Sequence, residues 1–143
     1  MSTGFRVGER FEKRFDFTVE NVRQFAALAG DTSPMHHDEQ FAAASRFGGL
    51  IVSGTHYSAL MMGMVASVLT ERAAGLGLEF NFKFRKAVMA SDSVKATWTI
   101  TSITASEKLG GDVVVLEGTL HNSAGEACVA ATSTSLVLPA GAL

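Results

Sequence analysis

The alternation of hydrophobic and polar residues along the chain predicts five β-strands. In a strand that is half-buried in a sheet, successive side chains point to opposite faces, so apolar and polar positions alternate. Strand-like segments lie at residues 11–18, 78–84, 93–103, 112–121 and 127–138. Because short turn-forming sequences connect the last four segments, we expect those four strands to form an antiparallel meander.

Three helices are predicted between the first strand and the remaining four. Thr18 is a capping residue ahead of an apolar stripe at helical spacing, and Gly30 stands where a glycine commonly ends a helix. A shorter helix is predicted over residues 38–46. A long helix follows over residues 53–72 and ends near the glycines of residues 75–77.

The long helix indicates the fold class. Residues 50–70 contain no Asp, Glu, Lys or Arg, and this stretch is close to the length that spans a membrane. The polar run at residues 53–58 would be costly in hydrocarbon, however, and a helix that is apolar nearly all round is also typical of a fully buried one. We therefore expect a soluble α+β protein with no membrane partner, in which an antiparallel sheet wraps around a long central helix.

Composition narrows the class of protein further. The 143 residues suffice for one domain, 1–143, and no linker or repeat divides them. A net charge of −2 argues against nucleic acid or an anionic membrane as the main partner. Only 18% of the residues are charged, which favours a surface that is partly covered by a second subunit.

Cysteine usage and the N-terminal residues favour a cytoplasmic protein. Cys128 is the only cysteine, so no internal disulfide can form and a reducing compartment fits best. It lies in a strand-like run without flanking charge, which favours a buried thiol over a nucleophile. Residues 1–17 carry scattered charges and no apolar segment, so no signal peptide is predicted.

Candidate chemistry is concentrated in one loop between the first two helices. Asp31 and His36 are five residues apart, and Pro34 between them restricts the backbone. Gly54 opens the long helix, where a backbone N–H has no partner within the helix. A carboxylate, an imidazole and a free N–H together can move a proton beside an activated carbonyl.

The same loop resembles a known family. Residues 25–36 read FAALAGDTSPMH and are similar to the hydratase-2 motif of MaoC-like dehydratases, the (R)-specific enoyl-CoA hydratases. The similarity continues through Gly54 and residues 82–88, and it covers nearly the whole chain. It implies a hot-dog fold, usually a homodimer or higher homo-oligomer that binds its acyl-CoA substrate at the subunit interface. It also implies reversible hydration of a trans-2-enoyl-CoA thioester to an (R)-3-hydroxyacyl-CoA, with no added cofactor.

The resemblance implies a role for each residue of the motif. The family's catalytic residues fall on Asp31 and His36, which would hold one water over C3 of the enoyl thioester. One of them would take a proton from that water while the other helps to deliver a proton to C2. The N–H of Gly54 would stabilise the enolate oxygen, with the positive end of the helix dipole behind it. Pro34 would support the separation of the two catalytic side chains.

Several neighbouring residues are assigned to support or to substrate binding. Ser33 stands where the family usually has asparagine, and we expect it to support the loop with a shorter reach. Ser53 stands where the family often has histidine. Together with His56, Phe84 and Arg85 it is a candidate substrate-binding residue. Core packing is an equal alternative for His56, and solvated surface is the simpler alternative to a CoA-phosphate contact for Arg85.

Other residues have simpler explanations. Residues 36–39 read His-His-Asp-Glu, but adjacent side chains point in different directions and no histidine pair has metal-ligand spacing, so no metal is predicted. His37 is expected at the surface, and Asp38 is expected to cap the second helix. The methionines of residues 61–64 are expected to fill the core or to line an acyl pocket.

Two other functions remain alternatives to hydration. A hot-dog acyl-CoA thioesterase also places a carboxylate near a helix start, and it would cleave the thioester rather than hydrate it. A non-catalytic acyl-CoA binding module would retain the fold, and the changes at Ser33 and Ser53 are compatible with it. The order of Asp31 and His36 ahead of the long helix favours hydration.

Overall fold

The computed structural model describes residues 3–143 and consists of one five-stranded antiparallel sheet, one long helix and shorter helical segments. The elements are strand β1 (Arg10–Asp16), helix α1 (Val19–Leu28), a 3₁₀ turn (Pro34–His36), helix α2 (Glu39–Ala43), helix α3 (Gly54–Arg72) and strands β2 (Ala74–Phe84), β3 (Ser93–Ser106), β4 (Gly111–His121) and β5 (Ala127–Leu138). The predicted strands and helices are therefore all present.

The strand order is β1-β3-β4-β5-β2, which differs from the predicted meander. Strands β3, β4 and β5 do follow one another as hairpins, but β2 pairs with β5 and β3 pairs with β1. The connection between β2 and β3 is anchored elsewhere: Val52 N–H donates to the Val88 carbonyl at 2.8 Å, and Ala90 N–H donates to the Leu50 carbonyl at 3.0 Å. Because this segment is held against the residues before α3, β2 is carried to the far edge of the sheet.

Strand β2 begins four residues earlier than predicted and includes the glycines that were expected to form a turn. At Gly75 a Cβ would lie 2.9 Å from the Leu69 Cβ atom, so glycine permits the strand to pass directly against α3. The pairing of β2 with β5 then shifts register between Gly77 and Glu79. These glycines therefore serve close packing and a bulge rather than a turn.

The helix starts follow the capping residues. The Thr18 hydroxyl accepts from the Asn21 N–H at 3.1 Å, and the Asn21 side-chain oxygen accepts from the Thr18 N–H at 3.0 Å. The Asp38 carboxylate accepts from two backbone N–H groups of α2, and Ser53 caps α3. Helix α2 is shorter than predicted and ends at Ala43.

The inner face of the sheet packs on the buried side of α3. Met61, Val65 and Leu69 face this core and are at most 3% exposed. Trp98 of β3 donates from Nε1 to the Met61 carbonyl at 3.0 Å. Its ring lies over Gly118, where a Cβ would be only 2.6 Å away. The sheet therefore wraps around the helix as predicted.

Part of the α3 surface is exposed and apolar. Met62 is 41% exposed and does not fill the core, in contrast to Met61 and Met64. Leu76 and Leu78 on the edge strand β2 are also exposed. Across residues 3–143, no helix combines the length and hydropathy needed to cross a membrane.

Candidate active site

The end of α1 creates the loop that carries the candidate acid and base. Gly30 has a φ of +76°, a conformation that favours glycine, and it reverses the chain direction after the helix. The Asp31 N–H donates back to the Ala26 carbonyl at 2.8 Å. Pro34 then opens the 3₁₀ turn, in which the His36 N–H donates to the Ser33 carbonyl at 3.1 Å. The loop is thus fixed at both ends.

Asp31 and His36 are in direct contact. The distance between Asp31 Oδ2 and His36 Nε2 is 3.2 Å. On the other side of the ring, His36 Nδ1 donates to the Ile51 carbonyl at 2.8 Å. Because a carbonyl oxygen can only accept, Nδ1 carries a hydrogen, and Nε2 is the nitrogen that faces the carboxylate.

Two hydroxyls at the start of α3 support the Asp31 carboxylate. Ser53 Oγ donates to Asp31 Oδ2 at 2.6 Å, and Ser53 is fully buried. Since the single Ser53 hydroxyl hydrogen is used there, Thr55 Oγ1 donates to Ser53 Oγ across 2.7 Å. The hydrogen bond from Ser53 is the largest cause that lowers the pKa of Asp31 below its ordinary value of 3.8.

The structure places Ser53 against Asp31. The buried Ser53 hydroxyl binds the carboxylate, and the suggested contact of Ser53 with substrate stays a prediction. Thr55 was not predicted at all. Its only signal in the sequence is a hydroxyl two residues after Ser53, which is too common a pattern to indicate a role.

The backbone of the loop provides further support to Asp31. Ser33 donates from its N–H to Asp31 Oδ1 at 3.2 Å, while its side chain accepts from the Met35 N–H at 3.4 Å. Ser33 therefore supports the carboxylate through the backbone rather than through its hydroxyl. His37, expected at the surface, is partly buried and donates from Nε2 to the Asp31 carbonyl at 2.8 Å. Pro34 is exposed and acts only on the backbone of the turn.

Gly54 lies at the first position of α3, directly after Ser53. Within residues 3–143 its N–H has no hydrogen-bond acceptor. The Phe84 ring packs against it, and a Cβ on Gly54 would lie 3.0 Å from that ring. Phe84 is 55% exposed, so the ring forms one wall beside the free amide and remains open to a ligand.

His56 lies in the core rather than beside the candidate acid and base. Its ring stacks on Phe25 at 4.3 Å between centroids and meets Phe17 edge-on at 5.0 Å. Its Nδ1 atom is buried without a hydrogen-bond partner among the described residues. Burial lowers the pKa of His56 below its ordinary value of 6.5. Of the two alternatives for this residue, the structure favours core packing.

The buried ring gives a prediction for stability against pH. The folded protein keeps His56 neutral, whereas the unfolded chain takes up a proton near pH 6.5. The free energy of unfolding should therefore decrease as the pH falls below about 6.5. His56→Phe should lose less stability than the wild type between about pH 7 and about pH 5, as measured by urea unfolding. An identical pH dependence in the two proteins would contradict the assignment.

Arg85 does not join the cluster around Asp31. Strand β2 ends at Phe84, and Arg85 is the next residue. Arg85 lines a groove of about 260 Å³ on the outer face of the sheet, together with Lys83. Lys86 forms an ion pair with Glu126. The suggested contact of Arg85 with CoA phosphates stays a prediction.

The side chains of residues 36–38 do not point towards a common position. His36 faces Asp31, His37 faces a carbonyl oxygen, and Asp38 caps α2. In the described part of the chain, no three His, Cys, Asp or Glu side chains are grouped as metal ligands would be.

Comparisons with known proteins place this geometry in context. The family described as MaoC like domain matches residues 6–121. A UPF0336 protein of Streptomyces avermitilis is 32% identical over 118 residues, which cover 78% of this chain and 77% of that protein. An (R)-specific enoyl-CoA hydratase of Aeromonas caviae is 30% identical over 97 residues, which cover 68% of this chain and 72% of that protein.

The fold also matches solved structures. The structure of an (R)-hydratase from A. caviae involved in PHA biosynthesis superimposes with a TM-score of 0.85 at 25% identity. The superposition covers 96% of this chain and 100% of that chain. The likeness confirms the predicted hot-dog fold, with an antiparallel sheet around a long central helix.

Proposed function

The chain belongs to the MaoC-like domain family, and from this membership and its site geometry we propose that it is a hydro-lyase acting on acyl thioesters. In this proposal it adds water reversibly to a trans-2-enoyl-CoA and forms an (R)-3-hydroxyacyl-CoA, without an added cofactor. The observation that carries the proposal is the 3.2 Å contact between Asp31 Oδ2 and His36 Nε2 beside the free N–H of Gly54.

Asp31 and His36 would divide the proton transfers between them. Because the hydrogen bond from Ser53 lowers the pKa of Asp31, this residue is a carboxylate at neutral pH and can accept a proton from water. The water oxygen then bonds to C3 of the enoyl thioester. His36 Nε2 would deliver a proton to C2, and the proton held by Asp31 would return to Nε2 across their contact. Both groups are then ready for another turnover.

Gly54 would stabilise the charge that develops during this addition. As water adds to C3, negative charge moves onto the thioester oxygen. The Gly54 N–H is unpaired, lies at the positive end of the α3 dipole, and follows the residue whose hydroxyl binds Asp31. Loss of one such donor typically lowers the rate by about 10²–10³-fold.

A paired assay separates this function from its alternatives. Hydration of crotonyl-CoA removes the enoyl absorbance and releases no thiol, whereas a thioesterase releases thiol that reacts with DTNB. A binding module would bind acyl-CoA without either signal. Loss of enoyl absorbance without thiol release supports hydration, and the reverse result would replace it with the thioesterase alternative.

Ser53→Ala tests the link between Asp31 and its supporting hydroxyl. Since the proposed reaction needs the ionised carboxylate, activity should fall as the pH falls through the pKa of Asp31. Removing the largest cause that lowers this pKa should move the acid limb of the kcat/KM profile to higher pH. Ser123→Ala, in an exposed turn, is the matched control and should keep the wild-type profile. An unmoved acid limb in Ser53→Ala would mean that Asp31 does not control it.

We also propose a homodimer, which would cover the exposed apolar residues. Strand β2 is an edge of the sheet and carries exposed Leu76 and Leu78. An uncovered apolar edge strand tends to pair with another chain. Sedimentation analysis should give a dimer, and a monomer at all accessible concentrations would contradict the proposal. A cytoplasmic location stays a prediction from the single buried cysteine.

A further inference from the structure

Helix α3 and the edge strand β2 run side by side from the candidate active site to the far end of the helix. At one end Phe84 packs against Gly54, and at the other Gly75 packs against Leu69. Leu69 is fifteen residues beyond Gly54, which corresponds to about 22 Å along the helix axis. A ligand that is bound at the Gly54 N–H and follows α3 would therefore reach the far half of the helix.

A cavity of about 300 Å³ lies between the far half of α3 and β2. Its helix wall begins at Met62 and ends at Leu69, and its β2 wall includes Gly75, Gly77 and Phe80. Among the described residues that line it, Ser135 of β5 is the one with a polar side chain.

Ser135 has a buried hydroxyl without a hydrogen-bond partner. Ser135 and Ser133 are each 1% exposed, and neither Oγ atom has a partner within residues 3–143. Strand β5 lies between β4 and β2, so the nearby backbone groups are already used in two ladders. A buried hydroxyl that makes no hydrogen bond is unfavourable, and alanine would fill the same position without that cost.

The strand register shows how far these two serines lie from Gly54. Val129 pairs with Phe84 next to Gly54, Ser133 pairs with Phe80, and Ser135 pairs with Gly77. Ser133 and Ser135 share the inner face of β5, because residues two apart in a strand point the same way. Ser135 therefore lines the cavity well beyond the groups that would react.

From this arrangement, and resting on the proposed function, we infer that the cavity binds the distal part of an acyl chain that carries an oxygen. The Ser135 hydroxyl hydrogen-bonds to that oxygen. The substrate class is an enoyl thioester with a hydroxyl or carbonyl group at least about 12 Å from the Gly54 amide, which is the axial distance from Gly54 to Met62. A hydrocarbon tail would leave the Ser135 hydroxyl unpaired.

The kinetic test compares substrates of equal length, trans-2-decenoyl-CoA and its ω-hydroxylated counterpart. The wild-type protein should hydrate the hydroxylated chain with a kcat/KM about tenfold higher, the effect of about one net hydrogen bond. A counterpart ending in a methyl ketone distinguishes recognition of a carbonyl from recognition of a hydroxyl. Equal values for the plain chain and both oxygenated chains would overturn the inference.

Substitutions at Ser135 connect the preference to the cavity. Ser135→Ala should abolish the preference, and Ser135→Thr should retain it because threonine keeps the hydroxyl. Thr132→Ala removes an exposed hydroxyl from the opposite face of β5 and should leave the ratio unchanged. A preference that survives in Ser135→Ala would also overturn the inference.

A binding measurement separates failure of this inference from failure of the proposed function. If no enoyl-CoA is hydrated, the proposed function fails, and the unreactive decanoyl-CoA and ω-hydroxydecanoyl-CoA still probe the cavity by calorimetry. A Kd about tenfold lower for the hydroxylated thioester, lost in Ser135→Ala, supports the inference. Equal Kd values overturn it.

Discussion

Asp31→Asn is expected to lower kcat/KM for crotonyl-CoA hydration by about 10²–10⁴-fold. The amide keeps the size of the side chain and one oxygen, which can accept either from Ser53 Oγ or from the Ser33 N–H; these donors lie 2.6 and 3.2 Å from different carboxylate oxygens. An amide cannot take a proton from water, however. The variant therefore removes the proposed base and keeps one of the two hydrogen bonds that position it.

A matched substitution distinguishes this chemical effect from a general change in charge. Asp112→Asn, at the start of β4, neutralises one carboxylate far along the chain from the loop and should retain wild-type turnover. Both variants should bind decanoyl-CoA and keep their circular dichroism spectra. Wild-type turnover in Asp31→Asn would remove Asp31 from the mechanism, and a loss of folding would be visible in the spectra.

The local part of the candidate site could be predicted from the sequence. Asp31 and His36 are separated by a turn that Pro34 fixes, so their contact depends on few residues and on short-range geometry. Caps such as Thr18 and Asp38 are likewise determined by neighbouring backbone groups. Such features follow from local sequence because the interacting groups lie within one turn of each other.

The parts that the sequence did not reveal depend on distant contacts. Ser53 reaches Asp31 across 22 residues, and only the packing of the loop against the start of α3 brings them together. The edge position of β2 was missed for a similar reason. It depends on the backbone hydrogen bonds from Val52 and Ala90 that anchor the β2–β3 connection. Backbone hydrogen bonds of this kind cannot be predicted from the alternation of apolar and polar residues.

The roles of His37 and His56 show the same limit in single side chains. Both are histidines in polar or mixed sequence, and nothing in their neighbours distinguishes a loop support from a core residue. Tertiary contacts decide: His37 donates to the Asp31 carbonyl, and His56 stacks on Phe25. Residue type and spacing therefore predicted the contact between Asp31 and His36 better than the groups that hold them.

His36→Ala is expected to have an effect of the same order, about 10²–10⁴-fold on kcat/KM, because it removes the group that is proposed to deliver the proton to C2. The His36 ring is 8% exposed and bridges Asp31 to the Ile51 carbonyl, so its loss leaves a small space at the end of the loop. Added imidazole can enter that space and should restore part of the activity. A merely structural histidine would not respond to imidazole in this way.

Comparison with the double variant then tests whether the two groups act as a unit. If Asp31 and His36 exchange one proton across their contact, removing either already disables the transfer. Asp31→Asn combined with His36→Ala should therefore be only slightly slower than each single variant, with losses far from additive in free energy. His121→Ala, at the end of β4, is the matched histidine control and should retain activity. Fully additive losses, or no imidazole rescue, would show that the two side chains do not share a proton, and the proposed division of acid and base would then fail.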